Sequence, residues 1–159
     1  MRLVRPAIPD AVRALKTDER RLAWGLTPDG TPLVATATGL NSGTTVLPWT
    51  QVEKVLWQPP LLTLVETSEV EGTGAQHTWE LAQDARLAET VRARVTSSIG
   101  WSDRRTLAPE GAVRLVGRRI PGQDLLQWQL VFEGGTDPHD PLLRAQAEAM
   151  VLDLRRTLG

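Results

Sequence analysis

Cysteine and tyrosine are missing from this chain of 159 residues, phenylalanine occurs once, methionine twice and histidine twice. Each absence removes a class of chemistry. Without thiols there are no disulfides, no cysteine nucleophile and no thiolate metal site. The two histidines, His77 and His139, lie far apart in the chain, so neither offers the other a partner for acid–base work. No apolar run approaches the ~20 residues that cross a bilayer. Met1 to Asp10 also lacks the apolar core of a signal peptide, and the expected location is the cytoplasm. Neither sign of charge dominates. A formal net charge of -1 offers no global attraction to nucleic acid or to an anionic membrane, so any polyanion contact has to be local and nucleic acid is not an expected partner.

Tryptophan, by contrast, is plentiful, with six copies in a chain whose aromatic content is only 4%. The length suits one well-buried core with a small appendage rather than two ordinary domains. Pro9-Asp10 opens a stretch, Ala11 to Lys16, that predicts a short helix inside an N-terminal extension, residues 1–19. From Arg21 the period becomes two. Leu22, Trp24 and Leu26 share a face, Thr27-Pro-Asp-Gly-Thr31 turns the chain, and Leu33, Ala35 and Ala37 alternate with Val34, Thr36 and Thr38. Gly39 to Gly43 predicts a second turn before a strand over Thr44 to Leu47. Thr50 and Glu53 have capping-box spacing, which predicts one helical turn before a strand over Val55 to Trp57. Pro59-Pro60 forces a corner. Strands follow over Leu61 to Glu66 and His77 to Leu81, six strands in all. A helix then runs from Asp84, with Leu87, Val91, Val95 and Ile99 on one stripe and Gly100 at its end.

The remainder, residues 100–159, predicts a ββα unit: a strand over Ala112 to Ile120, a turn at Pro121-Gly122, a strand over Leu125 to Phe132 and a helix launched by Asp140 and Pro141. Leu126, Trp128, Leu130 and Phe132 form one apolar strand face. A hairpin with one helix is too small to fold alone, so this tail has to lean on the preceding body, the favoured arrangement, or on a second copy of the chain. Trp128 then fills the body's core in the first case and a homodimer interface in the second.

Short antiparallel strands with closely spaced turns, closed by an amphipathic helix, resemble the pleckstrin-homology-like (PH-like) fold. Leu33 to Val55, "LVATATGLNSGTTVLPWTQVEKV", is similar to bacterial PH-like domains in its order of strand, leucine, turn, strand, Pro-Trp and an aliphatic residue at Val52. The resemblance covers residues 20–99. It implies an α+β protein: a PH-like open antiparallel barrel closed by the helix after Asp84, with the ββα extension outside the family pattern. It further implies a peptide groove between that helix and the adjacent strand edge. A phosphoinositide-binding member needs cations in its first turn. Here that turn holds Asp29 and no base, and no phosphoinositide membrane binding is expected.

Catalytic constellations are not found. Asp137, His139 and Asp140 are the one cluster of histidine with carboxylates, short of the three or four converging ligands of a metal site, and read more plainly as a loop ending in a helix cap. Asn41-Ser-Gly43 lacks the flanking glycine of a nucleophile elbow. Gly72-Thr-Gly74 and Gly134-Gly135 lead to no phosphate-loop lysine. No enzyme, no cofactor and no metal is expected. Arg104, Arg105, Arg114, Arg118 and Arg119 crowd one segment and are candidate contacts to a phosphate or a nucleic acid strand. Asp103, Glu110 and Asp124 lie nearby, and an ion-paired surface is the plainer reading.

The tryptophans divide. Trp24, Trp79 and Trp128 are in phase with the aliphatic residues of their strands and are assigned to the core, with Trp57 also inward. Trp49 and Trp101 flank loops, where an indole can be half exposed, and are the two candidate aromatic contacts. The reading that follows is a non-catalytic interaction module binding a protein partner or itself. The alternative is a small-anion or nucleic-acid binder using Arg114 to Arg119. An enzyme working near Asp137 to Asp140 is the least favoured.

Overall fold

Turn glycines, prolines and capping carboxylates set most element boundaries in the structure, a computed structural model describing residues 7–158. A short helix α1 (Asp10–Ala14) precedes a meander of four strands, β1 (Ala23–Leu26), β2 (Pro32–Ala35), β3 (Gly39–Asn41) and β4 (Val46–Pro48). Between β1 and β2 the chain turns as expected, with Gly30 at φ 85°. The Asp29 carboxylate there accepts from the hydroxyls of Thr27 and Thr31. A single 3-10 turn, Trp49–Gln51, leads to a second meander, β5 (Val52–Gln58), β6 (Leu61–Glu66) and β7 (Gln76–Glu80). A further short strand, β8 (Gln83–Ala85), returns to pair with β1, so the first sheet runs β4-β3-β2-β1-β8 and the second β5-β6-β7. Helix α2 (Leu87–Ser98) closes this body. The tail adds β9 (Ile99–Thr106), β10 (Ala112–Arg119), β11 (Leu126–Phe132) and α3 (Pro141–Leu158), its sheet ordered β11-β10-β9.

The architecture is α+β with three antiparallel sheets and a C-terminal helix. The body's two sheets do not close into the expected barrel. Pro48 ends β4 without an N–H to carry a ladder onward, and the 3-10 turn passes the chain to the second sheet with no strand pairing between the two. The capping box of Thr50 and Glu53 does not form: that turn has no side-chain cap. Glu53 instead accepts from the Gly72 N–H through Oε2 at 3.1 Å. Where a turn was expected at Gly39 to Gly43, Gly39–Asn41 is a strand. A side chain at Gly39 would meet the Leu47 carbonyl oxygen at 2.4 Å, so only glycine lets β3 lie this close to β4.

The body's core lies between its sheets and α2. Leu33, Ala35, Leu40, Leu62 and Leu64 pack there against Leu87, Val91 and Val95. Asp84 caps the helix from a distance, its Oδ1 accepting from Leu87 N–H at 2.6 Å and Ala88 N–H at 3.3 Å. Ile99, expected as the helix's last apolar residue, instead opens β9, a strand where none was expected. The tail is therefore a three-stranded sheet with one helix. Ala23 and Gly25, not Trp24, face the body's core: Trp24 and Leu26 share a face as predicted, but it is the outer face, under α1, with Val12, Leu15 and Val34.

A second core forms between the tail sheet and α3, from Leu107, Val113, Leu115 and Phe132 against Leu143, Ala147 and Val151. Asp140 launches α3 as expected, accepting from Leu142 N–H at 2.9 Å. Trp128 fills neither of the two places foreseen for it. It packs under α3 within the tail's own core, across from Gly117, whose missing side chain makes room for the indole. Among the described residues no helix is long and apolar enough to cross a membrane.

Candidate functional site

The five arginines of the second half do not converge. Arg104 and Arg114 lie opposite each other on the sheet face turned toward the body, and Arg105 points to the other face. Arg104 forks onto Glu133, through Nε at 2.5 Å and Nη2 at 3.1 Å. Arg105 pairs with Asp103 at 2.6 Å, and Arg114 donates to Ser102 Oγ at 3.1 Å. The bond from Arg104 holds the Glu133 carboxyl below the usual glutamate range, aided by the charges of Arg104 and Arg114 and opposed by partial desolvation. Glu133 therefore adds stability above its unfolded pKa, and that contribution is lost as pH falls through the lowered value. A carbon-detected titration should show Glu133 protonating below free glutamate, with Arg104→Gln moving it upward; an unshifted Glu133 would refute the fork.

Arg118 is a structural residue. Only 2% exposed, it donates to the Val52 carbonyl at 2.7 Å, to Ser98 Oγ at 2.8 Å and to Gln129 Oε1 at 3.2 Å. Gln129 in turn donates to the Thr50 carbonyl at 2.7 Å. These bonds tie β10 and β11 of the tail to the body where the 3-10 turn meets β5. Burial pulls the guanidinium's pKa down, and the Glu53 carboxylate pulls the other way. Arg119 borders a cleft of about 490 Å3 between body and tail, with Arg94, Thr50 and Asp124 also on its wall. Its Nη1 reaches the Ser97 carbonyl at 3.3 Å, at the negative end of α2, where a cation offsets the helix dipole.

Trp49 is not half exposed beside its loop. It is 3% exposed, packs in the body's core and donates from Nε1 to the Thr36 carbonyl at 2.9 Å. Trp101 is 38% exposed, on β9 across from Gly117. Trp57, read as inward, is half buried. It packs on the body's core and also borders an open groove of about 580 Å3. Of the pair framed by Pro48 and Pro60, Trp49 is a core residue rather than a contact, and Trp57 packs on the core as read while also bordering the groove.

That groove runs between β5 and α2. Trp57 lines it from the strand, and Ala88, Arg92 and Ala93 line it from the helix. Hydrogen-bond direction shows which way β5 turns its backbone. Glu66 N–H donates to the Ala75 carbonyl, on the β7 side of β6, at 2.8 Å. Direction alternates along an antiparallel strand, so Leu64 and Leu62 also bond toward β7. Their partners Val55 and Trp57 then turn their N–H and C=O groups to the outer edge of β5, which no strand of the described residues covers. The charges along the groove are nearly spent. Asp84 caps α2, and Arg86 pairs with Glu89 at 3.5 Å. Arg92 has no ion pair among the described residues and is left able to pair with an acidic group of a ligand.

Sequence periodicity missed this site because it reports which face a side chain takes, not which strand edge remains unpaired. The resemblance to PH-like domains implied a groove between this helix and an adjacent strand edge, and the doubled proline after Gln58 marks β5 as the start of a hairpin. The loop at Asp137 to Asp140 offers little chemistry: Asp137 accepts from the His139 N–H at 2.9 Å, and Asp140 is the cap of α3. Among the described residues no three histidine or carboxylate side chains group to hold a metal ion. His77 bonds Glu66 at 2.8 Å and stacks on Trp79. Comparison of the chain with family models, with curated proteins and with solved structures found no match.

Proposed function

We propose that the body, residues 20–99, is a non-catalytic PH-like interaction module. It takes an extended, acidic segment of a partner protein as an added strand on β5. The element order supports the PH-like reading: a four-strand meander, a three-strand meander, then a helix packed beside β5. The open edge of β5 above that helix carries the functional reading. Outward amides of Val55 and Trp57 supply main-chain bonds, Trp57 and the two alanines of α2 accept an apolar side chain, and Arg92 pairs with an acid next to it. The first turn, with Asp29 and no base, offers a lipid headgroup nothing. The alternative, a small-anion or nucleic-acid binder using Arg114 to Arg119, is weaker, because Arg118 is spent inside and Arg119 shares its cleft with Asp124 and a helix C-terminus.

Panning a library of random linear peptides against the full chain tests this. Selected peptides should pair an acidic residue with an apolar one and shift the amide resonances of Val55 and Trp57. They should bind about tenfold more weakly to Arg92→Glu. Vesicles containing phosphoinositides should not compete. Selected peptides whose shifts cluster away from β5, or no enrichment at all, would sink the proposal.

A further inference from the structure

Helix α3 carries two apolar stripes, and the tail sheet covers only one. Leu143, Ala147, Met150, Val151 and Leu154 pack against the sheet. On the opposite side Leu142, Ala145, Ala149 and Leu152 recur at spacings of three, four and three residues, all exposed, the two leucines at 59% and 51%. Such spacing keeps all four within one narrow strip of a helix surface. The helix is also held firmly, because Gln146 bonds both the N–H and the carbonyl of Ala108, at 2.9 and 2.6 Å. The strip is thus offered to solvent on a fixed support.

We infer that this strip is the seam of a homodimer in which α3 pairs antiparallel with α3 of a second copy about a two-fold axis at Ala147. Three observations select a second copy over a foreign helix. The strip is symmetric in sequence: Leu142 and Leu152 lie equally far from Ala147, as do Ala145 and Ala149. An antiparallel pair therefore sets leucine on leucine and alanine on alanine, with the alanines allowing close approach at the centre. The ends are complementary in charge. Asp137 and Asp140 precede the helix, whereas Arg155 and Arg156 close it. Arg155 has no ion pair among the described residues, and Arg156 has one long contact, at 3.9 Å, to Asp153. Antiparallel pairing brings each basic end to the acidic end of the other copy, and it also opposes the two helix dipoles. A parallel pair would stack acid on acid.

The helix is about 27 Å long at 1.5 Å per residue. One helix pair of this length buries less than the ~800 Å2 per partner of a standard interface, so the dimer is weak, salt-sensitive and dependent on concentration. This seam lies on a different element from the β5 groove and stands or falls independently of it.

Sedimentation of the full chain over a concentration series up to about 1 mM should show a monomer–dimer equilibrium. Raised salt should weaken it, Leu152→Ala should weaken it about tenfold, and Ala149→Glu should abolish it. Both residues are exposed, so the melting temperature of dilute protein should stay unchanged. The chain's lack of cysteine permits a register test: an equimolar mixture of Ala145→Cys and Ala149→Cys chains should cross-link on oxidation, and neither variant alone should do so efficiently. A monomer at every concentration, or a dimer indifferent to Ala149→Glu, overturns the inference. Cross-linking of Ala145→Cys with itself in preference to the mixture overturns the register and with it the axis at Ala147.

Discussion

Arg118→Met is expected to cost about 3 to 5 kcal/mol and to lower the melting temperature by roughly 10 °C for a chain of this size. Methionine keeps most of the volume and removes the fork. The Val52 carbonyl, Ser98 Oγ and Gln129 Oε1 would each lose a donor in a place water scarcely reaches. Glu53 would also lose a compensating charge, and one of its oxygens is already buried without a partner. Arg118→Lys should recover only part of the loss, since one ammonium cannot span three acceptors set around a planar fork. Arg119→Met, exposed and bonded once, is the matched control and should change little. Denaturant unfolding of the three variants decides. If Arg118→Met and Arg119→Met unfold alike, the tail is not clamped to the body through this guanidinium.

Trp49→Ala should be comparably severe, at about 3 to 5 kcal/mol, because the indole is buried among Ala35, Leu40 and Val52 in the body's core. Trp49→Phe separates the two parts of that loss. It keeps much of the packing and leaves the Thr36 carbonyl without its indole donor, a cost of about 1 to 3 kcal/mol. Trp57→Ala, at a half-buried position, should cost clearly less than Trp49→Ala while weakening any peptide held in the β5 groove. Equal losses at Trp49 and Trp57 by equilibrium unfolding would mean that the assignment of one to the core and the other to the groove is mistaken.

The contrast between these two tryptophans shows what local pattern can carry. Trp57 alternates with Val55, and Trp49 sits between Pro48 and Thr50, so periodicity assigns the first to the interior and leaves the second beside a loop. The tight 3-10 turn overrides the second assignment. It folds Trp49 inward onto the Thr36 carbonyl, a contact between the turn and the residue that follows β2, and β5 emerges at the rim of its sheet. The arginines teach the same point. Arg114, Arg118 and Arg119 read alike in a list of basic residues, yet one is solvated, one is a buried clamp and one caps a helix end, because each meets a different part of the body.

What the amino-acid sequence determined by itself was a set of features governed by near neighbours. The β1–β2 turn follows from Pro28 and Gly30, the start of α3 from Asp140 and Pro141, and the inner stripes of α2 and α3 and the alternation of β11 from side-chain spacing. Tertiary structure alone decided whether β9 exists, which face of β1 meets the core, whether two sheets close into a barrel, and which strand edge and helix face stay uncovered. Each of these depends on a pairing partner distant in the chain. A polar segment such as Ile99 to Thr106 becomes a strand because β10 lies beside it to satisfy its backbone, and no local periodicity records that partner's presence.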